Sequence, residues 1–388
     1  MSTVDRRAFL GAGGKLAAGV LAAGRLSPAS PNDTVSLGCI GVGGRGSYHL
    51  KNILAIKGVA VRAICDIDPV HVEIAQKHVV EAGQPKPDGY SDWKKLLERK
   101  DIDAVVSAIP VYLHARNYLD VIAAGKDLYG EKPLCINVEE AEAVVEAAGK
   151  SKVIVQVGFQ RRADPFFIEA MELVHKGELG QLIEGRINWS NSWGPIGGWF
   201  AHRAQSGDWM LEQACHNWDV LNWANKCLPV RATGFGKNKL FRDTPIVVDQ
   251  VCNRKAIQAD RDVSDYYSGV AQYANGVLVN IIHSWVVPGK FNDEHTRLIG
   301  MRGGIDFNTG VVSYRPDLNL PDRVVSASGG KADSSRLAVE AFLNSVRTRT
   351  KAVATVEHGR DAVLAALLMR HAVYNGKVFT MEELWEEA

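Results

Sequence analysis

The stretch VSLGCIGVGGRG, residues 35–46, joins a short apolar run to three glycines spaced as Gly41-x-Gly43-x-x-Gly46. The apolar run predicts a buried β-strand ending at Ile40, and the residues after it predict a helix. In this setting Gly41 permits a tight turn, Gly43 lets the backbone approach a pyrophosphate, and Gly46 permits close packing of the helix, whose first N–H groups face the phosphates. The stretch therefore predicts the first unit of a dinucleotide-binding Rossmann fold, with Gly44 and Arg45 in the same loop.

Short apolar strands and helical stretches alternate from residue 35 to residue 157. This alternation is typical of a parallel sheet covered by helices on both faces. The predicted strands are residues 35–40, 60–65, 104–109, 127–130 and 153–157.

Asp66 stands at the end of the second predicted strand, a short distance after the glycine loop. A carboxylate at this position accepts hydrogen bonds from the adenosine ribose and repels a 2′-phosphate, so NAD is favoured over NADP, and Asp68 adds to the repulsion. Two questions stay open. Asp66 could instead cap the helix that begins near Pro69, and Arg45 could contact the pyrophosphate or point to solvent.

The N-terminus carries paired arginines in the sequence DRRAFL, residues 5–10, followed by a Gly/Ala-rich apolar stretch and the small-residue segment Ser27-Pro28-Ala29. This pattern is typical of a twin-arginine signal peptide over residues 1–29, and it is too short and glycine-rich for a membrane span of about 20 residues. We expect the twin-arginine machinery to export the folded protein to the periplasm or beyond. Because free NAD is not maintained there, the cofactor is expected to be tightly bound.

Composition excludes several other classes. A net charge of +1 without a basic block gives no footprint for nucleic acid, and no other segment is long and apolar enough to span a membrane. The six cysteines show neither a CxxC pair nor a metal-ligand spacing, so no metal site is expected, although a disulfide among the last three is possible. They are Cys39, Cys65, Cys135, Cys215, Cys227 and Cys252.

Two further motifs, AAGKDLYGEKP at residues 123–133 and VGFQRR at residues 157–162, follow Ile109-Pro110 and His114. With the glycine loop, they resemble the glucose-fructose oxidoreductase/inositol dehydrogenase (Gfo/Idh/MocA) family over essentially the whole chain after residue 29. The resemblance implies an α/β Rossmann domain at residues 35–157, then an α+β domain with an open mixed sheet at residues 158–388. It also implies sugar or cyclic polyol substrates. The cofactor contacts that it implies outside the glycine loop are Pro110, His114, Glu131 and Lys132.

A later segment, GDWMLEQACHNWD at residues 207–219, predicts a helix with Glu212 and His216 four residues apart on one face. In the family this segment usually supplies an Asp and a His, so Glu212 is one methylene longer than the usual carboxylate. We assign His216 as acid/base, Lys132 as electrostatic partner or proton relay, and Glu212 as an orienting or substrate-binding group. The alternative for His216 is a histidine that only fills the core.

Indole faces suit the C–H faces of sugar rings, and Trp193 and Trp199 flank a glycine-rich loop. They are predicted to line the substrate cleft, with core packing as the alternative. Further candidates for substrate contact are Arg161, Arg162 and His202. Asp219 is another candidate, for which a structural hydrogen bond is an equal alternative.

After Pro229 the pattern changes to strands at residues 266–273, 277–285, 295–299 and 304–307, with a hairpin at Asn275-Gly276 and helices at residues 335–347 and 358–374. In the family, this sheet has one face free of helices and often forms a subunit interface, which implies a homodimer or homotetramer.

Three functions fit these observations. The first is an exported NAD-dependent oxidoreductase that acts on a sugar or polyol and retains its cofactor. The second is a redox-neutral glycoside hydrolase or lyase similar to glycoside hydrolase family 109. The loop Gly41-Val42-Gly43-Gly44-Arg45-Gly46 resembles the glycine loop of that family. The third is a nonenzymatic NAD-binding protein, which would not need Lys132, Glu212 and His216 together.

Overall fold

The computed structural model describes residues 34–192, 198–237, 261–325 and 333–388. The predicted signal segment, Trp193 and Cys252 lie outside these residues. In the part of the chain described, no helix is long and apolar enough to cross a membrane.

The N-terminal part is a parallel sheet of six strands with helices between them. Its elements are β1 (Val35–Ile40), α1 (Gly44–Leu54), β2 (Val59–Cys65), α2 (Pro69–Glu81), β3 (Asp88–Tyr90), α3 (Trp93–Leu97), β4 (Ala104–Ser107), α4 (His114–Ala123), β5 (Asp127–Gly130), α5 (Val138–Gly149) and β6 (Val155–Val157). The strand order β3-β2-β1-β4-β5-β6 is that of a Rossmann fold. The predicted strands are confirmed, with ends that shift by at most two residues.

The second part is built on a mixed sheet. Its elements are α6 (Pro165–His175), β7 (Leu182–Ser190), α7 (Arg203–Ser206), α8 (Trp209–Glu212), α9 (Cys215–Asn225), β8 (Pro229–Lys237), β9 (Tyr266–Tyr273), β10 (Leu278–Ser284), β11 (Asp293–Gly300), β12 (Gly303–Asp306), β13 (Val311–Tyr314), β14 (Arg323–Val324), α10 (Ser334–Thr348), α11 (Val356–Asn375), β15 (Phe379–Thr380) and α12 (Met381–Glu386). The sheet order is β14-β13-β12-β11-β7-β10-β9-β8-β15, and β7 and β10 run parallel.

The hairpin between β9 and β10 is confirmed, and Gly276 provides the left-handed turn residue with φ of +89°. The fold class is also confirmed, as a Rossmann sheet followed by an open mixed sheet.

The prediction of one helix across residues 207–219 is wrong. The segment forms two helices, α8 and α9, with Gln213 and Ala214 between them. Asp208 starts α8 by accepting a hydrogen bond from the Met210 backbone N–H, and the backbone of Asp208 itself is left-handed with φ of +76°. The break places Glu212 at the end of α8.

Helix α10, from the C-terminal part of the chain, completes the core of the Rossmann sheet. Its buried face of Ala338, Val339, Phe342 and Leu343 belongs to the same apolar cluster as β1. Helix α11 packs against α5 on the N-terminal side and against α9 and β8 on the other. Helix α11 thus joins the two parts of the chain, and α10 completes the first.

Candidate active site

The glycine loop leaves β1 and enters α1 with the geometry that the sequence predicts. Gly41 is left-handed with φ of +74°, and a Cβ there would lie 2.7 Å from the Ala108 carbonyl oxygen. A Cβ on Gly46 would lie 1.7 Å from the Gly41 carbonyl oxygen, so α1 can pack this closely only with glycine at that position. Both glycines are therefore required by the protein's own backbone.

The outer side of the loop is open. A Cβ on Gly43 would meet only the ring of His71, at 3.3 Å, and a Cβ on Gly44 would meet nothing within 4 Å. Gly43 caps α1 without any side-chain hydrogen bond to the first turn. This helix start lies between β1 and β4, where the strand order reverses. The N–H groups of its first turn fit the pyrophosphate of a dinucleotide.

Asp66 ties the glycine loop to the end of β2. Its Oδ2 accepts a hydrogen bond from the Val42 N–H at 2.8 Å, and its Oδ1 accepts one from the Asp68 N–H at 3.0 Å. The residue that caps α2 is Asp68, which accepts from the Val70 N–H, so the helix-cap alternative for Asp66 is wrong. The carboxylate of Asp66 therefore lies beside the glycine loop, and its contact with a ribose stays a prediction.

His71 is a neighbour that the sequence reasoning missed. Its Nδ1 lies 3.4 Å from Asp66 Oδ1, and its side chain is 44% exposed beside Gly43. His71 stands three residues after Asp68, the cap of α2, and so lies in the first turn of that helix. This spacing could have indicated from the sequence that His71 lies near Asp66. Ile67 is also exposed next to Asp66.

The side chain of Arg45 is bound to two other residues of the protein and does not point freely to solvent. Its Nε donates to Glu131 Oε1 at 2.8 Å, and its Nη2 donates to Ser335 Oγ at 3.0 Å. His49 Nε2 lies 2.6 Å from the same Glu131 oxygen. Burial opposes ionisation of Glu131, but Arg45, His49 and Lys132 together hold its pKa well below the ordinary value. The glycine loop is thus joined to the turn that carries Lys132.

Lys132 forms an ion pair with Glu212 across the cleft. Its Nζ donates to Glu212 Oε1 at 2.8 Å and to the Glu212 carbonyl oxygen at 2.5 Å. Burial disfavours the charged lysine, but Glu212 outweighs it and raises the pKa of Lys132 above its ordinary value. The side chains are only 14% and 13% exposed, so the ammonium is charged and held in one place. The predicted meeting of Lys132 with Glu212 is present in this geometry.

His216 lies in the first turn of α9 and is 8% exposed. Its ring packs edge-on against Phe159, and its Nδ1 is buried without a hydrogen-bond partner among the residues described. Burial, together with the positive charges of Lys132 and Arg161, holds the pKa of His216 well below its ordinary value. The imidazole is therefore neutral at pH 7, and a neutral ring nitrogen can accept a proton.

Two of the predicted substrate residues have different surroundings. Arg161 lies at the site: its Nη1 donates to the His216 carbonyl oxygen at 3.4 Å, and its Nη2 lies 3.8 Å from Glu294. Asp219 is buried, and its two carboxylate oxygens share the single N–H of Arg162 Nε, at 2.8 and 3.0 Å. The carboxylate of Asp219 is thus engaged inside the protein, which corresponds to the structural alternative.

The Trp199 ring stacks on Phe200, with centroids 3.7 Å apart, and His202 precedes α7. Helix α7 packs against the 3₁₀ turn Val111–Leu113 that follows Pro110. The segment from Trp199 to α7 therefore lies beside the turn that follows β4. His114 is buried below this turn, with each ring nitrogen against a backbone carbonyl, so neither nitrogen faces a ligand.

Within the described ranges, no group of three or more His, Cys, Asp or Glu side chains could hold a metal ion. The cysteines of the same ranges are free thiols.

Known proteins were compared with the chain in sequence and in structure. Residues 35–159 match the model of an oxidoreductase family with an NAD-binding Rossmann fold, and residues 167–306 match the GFO/IDH/MocA C-terminal domain. A glycosyl hydrolase family 109 protein of Shewanella pealeana is 32% identical over 209 residues, which are 47% of this chain and 45% of that protein. An alpha-N-acetylgalactosaminidase of Shewanella oneidensis is 29% identical over 213 residues, 48% of this chain and 46% of that protein.

The chain therefore spans about half the length of the curated relatives that it matches. Among solved structures, a levoglucosan dehydrogenase in complex with NADH and levoglucosan superposes with a TM-score of 0.75 at 18% identity, covering 90% of this chain and 99% of that one. This likeness supports the fold.

Proposed function

Because the chain belongs to the Gfo/Idh/MocA oxidoreductase family, we propose that it oxidises a secondary alcohol of a sugar, cyclic polyol or glycoside. Bound NAD supplies the hydride acceptor for this chemistry. The observation that carries the proposal is the buried ion pair of Lys132 with Glu212, at the end of α8, followed directly by α9 with the buried His216 in its first turn.

The three side chains divide the work on the hydroxyl group. The neutral imidazole of His216 accepts the proton that leaves the hydroxyl oxygen. Lys132 has three N–H donors, and Glu212 takes two of them, which leaves one for the reacting oxygen. That donor stabilises the negative charge that develops on the oxygen. Glu212 keeps Lys132 charged and points it toward the cleft.

We further propose NAD rather than NADP as the cofactor, since the carboxylate of Asp66 lies beside the open glycine loop, where it would repel a 2′-phosphate. The arginine pair Arg6-Arg7 supports export by the twin-arginine pathway with the cofactor already bound. Amino-terminal sequencing of the mature protein from its native host tests the export: an intact residue 1 in the exported fraction would contradict cleavage.

A second function is favoured by the relatives. Proteins named as glycosyl hydrolase family 109 members and as an alpha-N-acetylgalactosaminidase match about half of this chain. We propose as the alternative a redox-neutral glycosidase: the oxidation described above is followed by elimination of the aglycone, which leaves with a proton, water then adds to the unsaturated product, and the hydride returns from the cofactor to the sugar. The same three side chains would serve both reactions, so the products decide between them.

The deciding experiment starts from purified mature protein. Denaturation followed by chromatography measures the NAD(H) carried per subunit. A panel of sugars, polyols and 4-nitrophenyl glycosides is then followed both at 340 nm and by release of nitrophenol. Lys132→Met and His216→Ala are each expected to lose about 100-fold or more in turnover while retaining NAD. Lys150→Met is the matched control, because Lys150 lies on the surface in an ion pair with Glu146.

Three outcomes are distinct. NADH absorbance that rises with a sugar or polyol supports the oxidoreductase. Nitrophenol release without a net change at 340 nm supports the redox-neutral glycosidase. Bound NAD with no turnover of any substrate, or wild-type activity in Lys132→Met, would contradict the catalytic assignment and favour a nonenzymatic binding protein.

We also propose a homodimer through the open face of the second sheet. Phe235 and Ile282 flank Ser268 in one row across β8, β9 and β10, and both are exposed, Phe235 by 72%. Helices α9 and α11 cover the opposite face. Light scattering on Ile282→Asp is expected to show monomer where the wild type shows dimer or tetramer, because a charge in an apolar interface is costly to bury. A monomeric wild type would refute this interface.

A further inference from the structure

Helix α4 contacts the backbone on both sides of Lys132. The Tyr118 hydroxyl donates to the Glu131 carbonyl oxygen at 2.6 Å, and His114 Nδ1 lies 2.6 Å from the Pro133 carbonyl oxygen. His114 and Tyr118 are four residues apart on one face of α4, and their rings stack with centroids 5.0 Å apart. Both side chains are buried.

The approach of α4 to this turn depends on a glycine. A Cβ on Gly130 would lie 2.5 Å from Tyr118 Cζ, so a larger residue there would push the tyrosine ring away from the backbone. The family resemblance implies a cofactor contact at His114, but both of its ring nitrogens face backbone carbonyl oxygens, and no role is assigned above to Tyr118. A tyrosine hydroxyl and an imidazole aimed at the two carbonyls that flank one lysine form a specific arrangement, beyond simple filling of space.

His114 has a second contact, because its Nε2 lies 2.9 Å from the Ile109 carbonyl oxygen, just after β4. A neutral imidazole carries a single N–H, so only one of the two carbonyls can receive a proton donor. Burial lowers the pKa of His114, which favours this neutral form. We assign Nδ1 as the donor because its contact, to Pro133, is the shorter of the two.

We propose that His114 is a positioning residue for Lys132, acting with Tyr118 by holding the Pro133 and Glu131 carbonyl oxygens in place. The inference rests on the proposed function, in which Lys132 acts on the reacting oxygen. With its backbone held on both sides, the Lys132 side chain reaches Glu212 from a fixed origin. A misplacement of about 1 Å at a catalytic group can cost roughly 100-fold in rate.

Two isosteric substitutions separate the two ring nitrogens. The amide nitrogen of His114→Asn stands near the position of Nδ1 and can still donate to Pro133, whereas that of His114→Gln stands near Nε2 and can donate only to Ile109. Both variants lose the same ring stacking. We expect His114→Asn to keep kcat within about threefold of wild type, and His114→Gln to lose roughly 10- to 100-fold with an unchanged Kd for NAD. Tyr118→Phe removes only the hydroxyl and is expected to lose about 10-fold.

A second readout needs no substrate. Trace acetylation with acetic anhydride, read by mass spectrometry, measures the reactivity of Lys132 against the exposed Lys150 in the same sample. Because Lys132 is buried and paired with Glu212, it should react slowly in the wild type and in His114→Asn. It should react at least about tenfold faster in His114→Gln and Tyr118→Phe, since a displaced turn releases the ammonium.

The outcomes are separable. Equal kcat and equal labelling in the Asn and Gln variants would overturn the proposal and leave His114 as core packing. If the His114 variants do not fold, as judged by thermal melting, Tyr118→Phe decides: wild-type labelling of its Lys132 would overturn the proposal. If the wild type turns over no substrate while labelling still separates Asn from Gln, the proposed function fails and the positioning role stands.

Discussion

Adding one methyl group at each of three neighbouring glycines should have three different results. A Cβ on Gly46 would overlap the Gly41 carbonyl oxygen at 1.7 Å, so Gly46→Ala is expected to disrupt the loop and the packing of α1. A Cβ on Gly44 meets nothing within 4 Å, so Gly44→Ala should preserve the fold and change the free energy of unfolding by no more than about 0.5 kcal/mol. Gly43→Ala is the informative change.

In the protein alone, Gly43→Ala costs little. The added Cβ meets only the half-exposed His71 ring at 3.3 Å, which can move by a few tenths of an ångström. We expect a loss of less than about 1 kcal/mol in the free energy of unfolding. If the pyrophosphate of NAD lies against this position, the methyl group should remove one hydrogen bond between the backbone and the charged phosphate. Such a bond contributes about 1.5–3 kcal/mol, or roughly 10- to 150-fold in Kd.

The assay is isothermal titration of NAD into protein freed of cofactor, with urea unfolding of each variant beside it. Gly149→Ala, also free of neighbours within 4 Å and remote from the loop, controls for a general effect of replacing glycine. Two results would refute the placement of the pyrophosphate against Gly43. One is a Kd of Gly43→Ala for NAD within about threefold of wild type, and the other is a larger loss of affinity in Gly44→Ala than in Gly43→Ala.

Three other changes test the site and its surroundings. Asp66→Asn should keep an acceptor for the Val42 N–H but lose the charge, so the ratio of NAD to NADP affinity should fall; an unchanged ratio would show that the charge does not set the preference. Asp219→Ala should lower the free energy of unfolding in urea by about 3–5 kcal/mol, because Arg162 is left buried and unpaired. Unchanged stability together with a raised KM would instead indicate that Asp219 binds substrate. Burial lowers the pKa of His283 and His358 to about 3, so between pH 6.5 and 3 the unfolded chain binds protons that the folded protein does not. The free energy of unfolding should therefore fall with decreasing pH by up to about 1.4 kcal/mol per pH unit for each histidine. Urea titrations at pH 7, 6 and 5 should show a smaller slope in His283→Gln than in the wild type. An unchanged slope would show that the pKa of His283 is not lowered.

Local pattern was enough to predict the glycine loop and five of the six strands of the Rossmann sheet, all except β3. The strands alternate with helices along the chain, and the roles of Gly41 and Gly46 follow from the turn that joins β1 to α1. These features depend on neighbours within a few residues, so periodicity and glycine spacing are sufficient. The motifs that carry Lys132, Glu212 and His216 were found through the family resemblance, with only the four-residue spacing of Glu212 and His216 following from helix geometry.

The tertiary structure alone decided how these motifs meet. Arg45 joins Glu131 at a separation of 86 residues, and α10 returns from the far end of the chain to complete the Rossmann core. The break between α8 and α9 brings the Glu212 carbonyl to Lys132, where an unbroken helix was predicted. Such contacts form when distant segments pack, and the free energy of burying and pairing them outweighs local helix preference, which is a weak constraint on structure.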